Sequence, residues 1–152
     1  MKLRRTLLAL ALPVLMSAPA LADAYTVTVF QCVNKNNKQV RVTYVDGQYR
    51  YAFGKIDDIP DIEIVRSPQQ LTQNLLKTQA ADTDTGHAQI MELDFKNGTY
   101  VYTVHSDYLG TKRAGGVDVY NKGKSIASID CLPNTIVDNL SEHIYDLPER
   151  PY

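Results

Sequence analysis

Residues 30–53 of the chain read FQCVNKNNKQVRVTYVDGQYRYAF, and this stretch decides the fold. Within it, residues 38–44 alternate apolar and polar side chains without a break, a period of two that is typical of a half-buried β-strand. Asp46-Gly47 then predicts a type I′ turn, because both central residues of that turn need a positive φ. Residues 49–53 return as a second strand with three aromatic side chains on one face. The stretch therefore predicts an antiparallel ribbon beside a cysteine.

Further strands are predicted on both sides of this ribbon. Residues 25–29 alternate, and the change of parity that follows indicates a β-bulge near Val29 or Phe30. A second type I′ turn is predicted at Asn97-Gly98. Short strands are expected at 62–65, 90–95, 100–105, 117–120 and 125–131. The pattern predicts an all-β fold, an eight-stranded antiparallel barrel or sandwich with one or two short helices.

One helix is predicted directly after the fourth strand. Ser67 is a candidate N-cap, Pro68 occupies the first helical position, and Gln70 closes a capping box. Leu71 and Leu75 are four residues apart and provide an apolar stripe. We therefore expect a helix over residues 68–80.

The remaining segments are predicted to be less regular. Residues 82–86 and 106–116 are expected to be loops, the second of them polar and 11 residues long. The tail after Pro133 is expected to contain one short helix, since Ile136, Leu140 and Ile144 are four residues apart. Residues 147–152 are expected to be extended or loose.

The first 22 residues predict a secretory signal. Three basic side chains precede an apolar segment at residues 7–16 that is too short to span a bilayer, and Ala20-Leu21-Ala22 fits a cleavage site. A retained membrane anchor is the less favoured alternative. We therefore expect export to the periplasm and a single β domain over residues 23–152, with a C-terminal tail from about residue 133.

The charge balance limits the classes of partner. The chain has 16 basic and 17 acidic side chains; the predicted signal contains three of the former and none of the latter, which leaves 13 and 17 and a net charge of −4. This balance disfavours nucleic acid and anionic membrane surfaces. We expect a protein partner, no nucleic acid, and no membrane insertion after signal cleavage.

Cys32 and Cys131 are the two cysteines of the chain. An even number in an oxidising compartment favours one disulfide, which would join the first strand to the last. Two free thiols are the alternative. Neither cysteine has a Cys or His neighbour at ligand spacing, so we expect no metal site and no cofactor.

The sequence contains no recognised catalytic motif: no G-x-S-x-G, H-E-x-x-H, P-loop or C-x-x-C. His105, Ser106 and Asp107 bring triad residue types side by side, but neighbours on a strand point to opposite faces. A strand-end histidine beside a polar loop is the favoured interpretation. The acidic segment 82–86 has half of a calcium-loop pattern and lacks its bidentate glutamate, which favours a plain turn.

The polar segment 106–116 is the candidate binding site. It contains Asp107, Tyr108, Lys112 and Arg113, and Tyr and Arg are residue types that carry binding energy at protein interfaces. Its length also exceeds what a hairpin needs. A recognition loop and a solvated surface loop are both open interpretations.

Two parts of the chain resemble a known family. The aromatic-x-Cys strand at residues 30–32 with its Val-rich partner at 38–44, and the ending at 119–124 and 129–131, are similar to the periplasmic and membrane-bound C-type lysozyme inhibitors. The resemblance implies an eight-stranded antiparallel barrel with one disulfide, in the periplasm, that plugs the active site of a muramidase. The family's Ser-Gly-x-x-Tyr inhibitory loop is not found here, and the predicted helix and the tail are additions.

These observations predict a periplasmic inhibitor or binding protein, not an enzyme, that acts on a lysozyme-like or other cell-wall hydrolase. Host defence and immunity against a rival's toxin are both compatible roles. One alternative is a periplasmic enzyme that uses His105 and Asp107. Another is an envelope protein with a structural role or a small-ligand site, which an apolar lumen would favour.

Overall fold

The computed structural model describes residues 25–152, so the predicted signal at residues 1–22 lies outside the described residues. Ten strands form two five-stranded antiparallel sheets. The first sheet has the order β10-β1-β2-β3-β4 and the second sheet β5-β6-β7-β8-β9. The strands are β1 (Val27–Val33), β2 (Lys38–Val45), β3 (Gln48–Lys55), β4 (Ile62–Arg66), β5 (Leu71–Gln79), β6 (His87–Asn97), β7 (Tyr100–Leu109), β8 (Lys112–Asn121), β9 (Lys124–Asp130) and β10 (Val137–Asp138).

The two sheets pack as a sandwich around one apolar core, so the all-β prediction is confirmed. The predicted number of eight strands is wrong, because β5 forms where a helix is predicted and the tail adds β10. The barrel alternative, which the family resemblance also implies, is wrong: the two ladders stay separate, and an isolated bridge between Asn34 and Cys131 joins their ends. Both sheets contribute fully buried side chains, and so do two residues of the tail. The largest are Tyr51, Phe30, Phe95, Leu71, Met91, Leu93, Leu140 and Ile144.

The opening ribbon forms as its alternation predicts. β2 pairs with β1 and with β3, and the register shifts between Thr28 and Phe30, which confirms the bulge. Asp46 and Gly47 both have positive φ, at 52° and 77°, as a type I′ turn requires. The other predicted turn differs, because Asn97 still pairs with Tyr100 and Gly98 alone in that turn has a positive φ, 62°.

The predicted disulfide is confirmed. Cys32 on β1 and Cys131 directly after β9 are bonded, with their Cα atoms 5.6 Å apart, so the alternative of two free thiols is excluded. Because β1 belongs to the first sheet and β9 to the second, the bond ties the two layers of the sandwich together.

The predicted helix over residues 68–80 is wrong. Only Pro68–Gln70 forms a single 3₁₀ turn, with the Ser67 amide donating to Gln70 Oε1 at 2.9 Å, and β5 then begins at Leu71. Leu71 and Leu75 face the core together, because residues four apart share a face in a strand as well as in a helix. All nine residues of β5 pair with β6, and this pairing selects the strand over the helix.

The predicted long loop over residues 106–116 is also wrong. β7 and β8 run through it and are joined by the two-residue turn Gly110-Thr111. Gly115 and Gly116 serve close packing here rather than flexibility. A Cβ on Gly116 would collide with the Ile129 carbonyl oxygen, and one on Gly115 would lie 3.0 Å from the His105 carbonyl oxygen.

The tail adds to both sheets. It forms 3₁₀ turns at Pro133–Thr135, Leu140–Glu142 and Ile144–Asp146 rather than one helix, and β10 extends the first sheet. Further on the chain is extended, as predicted, and it is held in place: the Gln73 amide donates to Pro148 O, and the Arg150 amide donates to Gln73 O. The tail thus covers part of the open edge of β5 through an isolated parallel bridge between Gln73 and Glu149.

Among residues 25–152, no helix has the length and apolar character that crossing a membrane requires.

Candidate functional site

The four predicted contact residues lie on the β7–β8 hairpin, but strand alternation divides them. Tyr108 pairs with Arg113 across the two strands, and both point to the inner face of the second sheet, like Ser106. Asp107 and Lys112 point to the outer face. The structure therefore brings Tyr108 and Arg113 together and places the other two residues on the opposite side of the sheet.

Tyr108 and Arg113 form a stacked pair. The guanidinium carbon of Arg113 lies 3.7 Å from the centroid of the Tyr108 ring, within the range of a cation–π contact. The guanidinium also donates to Asp107 O at 3.2 Å and to Ser106 Oγ at 3.3 Å. These contacts hold the aromatic ring, which is 36% exposed, in one orientation at the rim of the sandwich.

Asp138 of β10 is the anchor of this pair. Its side chain is 5% exposed, and it accepts hydrogen bonds from Ser106 Oγ at 2.6 Å, Tyr108 Oη at 3.1 Å and Arg113 Nη2 at 3.3 Å. The Leu140 amide donates to the other carboxylate oxygen at 3.0 Å. A buried carboxylate is tolerated when it is paired and hydrogen-bonded in this way.

We call Ser106, Tyr108, Arg113 and Asp138 the rim network. Asp138 lies on the edge strand of the first sheet and its three partners on the second, so the network joins the two layers at the edge opposite β4. Burial and the charge of Asp138 raise the pKa of Tyr108, so its phenol remains a hydrogen-bond donor. The rim network thus presents a fixed tyrosine ring stacked on a guanidinium that is paired with Asp138.

The hairpin tip is fixed by the β5–β6 loop, which lies at the same end of the second sheet. Asp84 accepts from the Thr111 amide at 2.8 Å and from the Thr111 hydroxyl, which holds the pKa of the Asp84 carboxyl below its usual range. Segment 82–86 is a turn, as predicted, and its function is to brace the hairpin. No signal in the sequence indicates this pairing across 27 positions.

The outer face of the second sheet contains the histidine of the enzyme alternative. His105 Nδ1 lies 3.0 Å from Asp107 Oδ2, and Nε2 lies 3.9 Å from Asp118 Oδ2. Burial lowers the pKa of His105, but the hydrogen bond with Asp107 and the charges of Asp107, Asp118 and Glu92 outweigh it and hold that pKa above its ordinary value. The neighbouring carboxylates therefore favour the protonated form of the His105 ring.

This arrangement is not a Ser-His-Asp triad. Ser106 points to the inner face and donates to Asp138, and Ser128 Oγ donates to Asp118 at 2.8 Å rather than to the imidazole. A triad needs the hydroxyl on the histidine so that the ring can accept its proton. The His105 cluster can bind a proton on the imidazole and stabilise the outer face through the contacts of His105 with Asp107 and Asp118.

A second ionic cluster fastens the tail to the same outer face. Arg150 binds both oxygens of Asp94 and also Glu92, with 2.7 Å for each contact, and Thr72 and Thr103 donate to Asp94 as well. Burial raises the pKa of Asp94, but the hydrogen bonds from Arg150 and the two threonines bring it below its usual range. The cluster was not predicted, because its members lie far apart in the sequence.

Within residues 25–152, no group of three or more His, Cys, Asp or Glu side chains could hold a metal ion. Comparison with protein-family models, curated proteins and solved structures found no match for this chain.

Proposed function

We propose that this protein is an exported binding protein that inhibits a lysozyme-like or other cell-wall hydrolase in the periplasm. The observation that carries the proposal is the stacking of Arg113 on Tyr108 at the rim. Tyrosine and arginine residues that are rigid before binding lose little conformational entropy on association, which is why they dominate interface energetics. The proposal covers both a host enzyme and a toxin from a rival bacterium.

Three further features support a protein-binding role outside the cytoplasm. The disulfide between Cys32 and Cys131 is of the kind that persists in oxidising compartments. The likeness of residues 30–32, 38–44, 119–124 and 129–131 to C-type lysozyme inhibitors points to hydrolase partners. Since that family's inhibitory loop is missing from the sequence, the contacts are assigned to the hairpin: Tyr108 and Arg113 on one face, Asp107 and Lys112 on the other.

A periplasmic enzyme is the second candidate, and the hydrogen bond between His105 and Asp107 favours it. Loss of a hydrolytic activity in His105→Ala, with the fold intact, would establish this role, and unchanged activity would remove it. A small-ligand lumen has less support, because the space between the sheets is filled by core side chains.

The proposal is tested with the purified protein, residues 23–152, against a panel of muramidases and other peptidoglycan hydrolases. We expect it to capture at least one of them in a pull-down and to slow its turnover of peptidoglycan at micromolar concentration. Absence of both binding and protection across the panel would overturn the proposal.

The chain offers matched controls for this assay. Tyr108 and Tyr100 lie near opposite ends of β7 and are 36% and 40% exposed. Lys112 begins β8, and Lys122 follows directly after its last residue. We expect Tyr108→Ala and Lys112→Ala to weaken inhibition, while Tyr100→Ala and Lys122→Ala leave it unchanged.

A further inference from the structure

The second sheet extends beyond the part of its inner face that the core covers. Met91 and Ser106 are buried neighbours in one cross-strand row, with 2% and 0% exposure. The next row across β5, β6, β7 and β8 consists of Lys77, Gln89, Tyr108 and Arg113. All four are partly or fully exposed to solvent, although they share the face of the buried row. The inner face therefore continues as an uncovered shelf.

A cleft of about 530 Å³ lies on this shelf, a size that suits a small ligand. It is lined by Lys77, Thr78, Gln79, Thr85, His87, Ala88, Gln89, Tyr108 and Gly110. Most of the lining residues have polar side chains, and their apolar atoms together with Tyr108 and Ala88 provide much of the exposed wall. It is an open groove on the surface rather than an internal void.

The polar side chains of the cleft wall are available for a ligand. The Thr78 hydroxyl donates to the main-chain oxygen of Gln79, and the Thr83 hydroxyl donates to that of His87. Neither hydrogen bond occupies the side chain of Gln79 or His87. Within residues 25–152, the side-chain nitrogen and oxygen atoms of Gln79, His87 and the row residues Lys77 and Gln89 make no hydrogen bond to the protein.

The lining of the cleft contains a basic residue and no acidic one. The protein has 17 acidic and 16 basic side chains, yet the wall contains a lysine and a histidine and no carboxylate. Asp84, in the loop beside the cleft, keeps its negative charge and accepts hydrogen bonds from Thr111, whereas Asp138 is paired with Arg113. Lys77 is left as the unpaired cation of the wall, which favours an anionic ligand.

Tyr108 adds a flat surface to this cation. Arg113 covers one face of the ring, and its hydroxyl is held by Asp138, so the ring cannot rotate away. The amide side chains of Gln79 and Gln89 offer donors and acceptors in pairs, as ligands with several hydroxyl groups require. A fixed aromatic ring beside planar amides is suited to the C–H faces and hydroxyl groups of a sugar.

We propose that this cleft binds an acidic saccharide, with Lys77 on its carboxylate, Gln79 and Gln89 on its hydroxyl groups, and Tyr108 against a sugar ring. The inference rests on the cleft and does not require inhibition of a hydrolase. It assigns the inner face of the shelf to a small glycan.

The test is a titration of the protein, residues 23–152, with the disaccharide of N-acetylglucosamine and N-acetylmuramic acid, followed by amide NMR shifts. Chitobiose, which lacks the carboxylate, and tetraglutamate, which lacks the sugar, serve as comparison ligands. We expect saturable shifts centred on Lys77, Gln89 and Tyr108 for the acidic disaccharide, and affinity at least about tenfold lower for chitobiose, as the loss of a charge-assisted contact implies.

Lys77→Gln is the decisive variant, because it removes the charge from an exposed side chain and should leave the fold intact. We expect it to weaken binding of the acidic disaccharide about tenfold, while Lys55→Gln on the first sheet has no effect. Equal affinity for the two sugars, binding of tetraglutamate alone, no binding at millimolar ligand, or an unchanged Lys77→Gln would each overturn the proposal. Since Lys77→Gln leaves Lys112 in place, failure here does not bear on inhibition at the hairpin.

Discussion

Arg150, in the C-terminal tail, binds both carboxylate oxygens of Asp94, with its Nε 2.7 Å from Oδ2 and its Nη2 2.7 Å from Oδ1. The Asp94 side chain is 4% exposed, so the tail supplies the counter-charge of a buried residue on β6. Together with the main-chain bonds to Gln73, this contact makes the tail part of the second sheet.

Removal of this counter-charge should destabilise the fold. We expect Arg150→Ala to lower the free energy of unfolding by about 1–3 kcal/mol, less than for a fully buried pair because the arginine side chain is 37% exposed. Urea unfolding measures the loss. The matched control is Arg50→Ala, whose partner Glu63 is exposed at 3.5 Å, with an expected change below about 1 kcal/mol. Equal losses in the two variants would contradict the assignment.

His105 should make stability depend on pH. Its pKa in the folded protein is held above the ordinary value near 6.5, so its contribution is fully present below about pH 6.5 and is lost as the pH rises through the folded-state pKa. Removing the main partner in Asp107→Asn should lower the His105 pKa in an NMR titration. The stability difference between wild type and this variant should shrink as the pH rises.

His143 provides the opposite case within the same molecule. Burial lowers its pKa, and Nδ1 lies 3.0 Å from the hydroxyl of Tyr49. Its contribution should therefore be present above the ordinary histidine pKa and be lost as the pH falls through the folded-state value. If an NMR titration gave both histidines a pKa below the ordinary value, the electrostatic description of the His105 cluster would be wrong.

The disulfide should contribute a large share of the stability. It joins residues 99 positions apart, and closing a loop of that length is worth about 4–5 kcal/mol in the chain-entropy model. We expect the Cys32→Ser, Cys131→Ser double variant to lose most of that amount in urea unfolding under oxidising conditions. Reductant should lower the stability of the wild type and leave the double variant unchanged; insensitivity of the wild type would refute the prediction.

Alternation of side chains predicts most strands, because each one buries a single face. It fails at β5, where the spacing of Leu71 and Leu75 suits both a helix and a strand and the start signal at Ser67 to Gln70 is real. Only the neighbouring strand β6 resolves this ambiguity. Gly115 and Gly116 favour the wrong prediction of a loop for a related reason. Glycine is needed there because β9 and core side chains pack against the backbone of β8, and the local sequence does not reveal these neighbours.

The candidate site is only half visible in the sequence. Tyr108 and Arg113 stand out as residue types, but their anchor Asp138 is 30 positions from Tyr108 and pairs with it only through the sandwich. The shelf residues Lys77 and Gln89 are missed, because the first falls in the wrongly predicted helix. Contacts between the two sheets depend on topology, and periodicity within one strand does not contain that information.

The proposed function assigns binding and inhibition of a cell-wall hydrolase to the β7–β8 hairpin. The most direct measurement is the dose-dependence of peptidoglycan turnover by the panel hydrolases in the presence of wild type, Tyr108→Ala and Tyr100→Ala, each confirmed to be folded. We predict inhibition by wild type and Tyr100→Ala, and at least about tenfold weaker inhibition by Tyr108→Ala, as expected of an interface hot spot. Inhibition by none of the three, or equal inhibition by all three, would contradict the account.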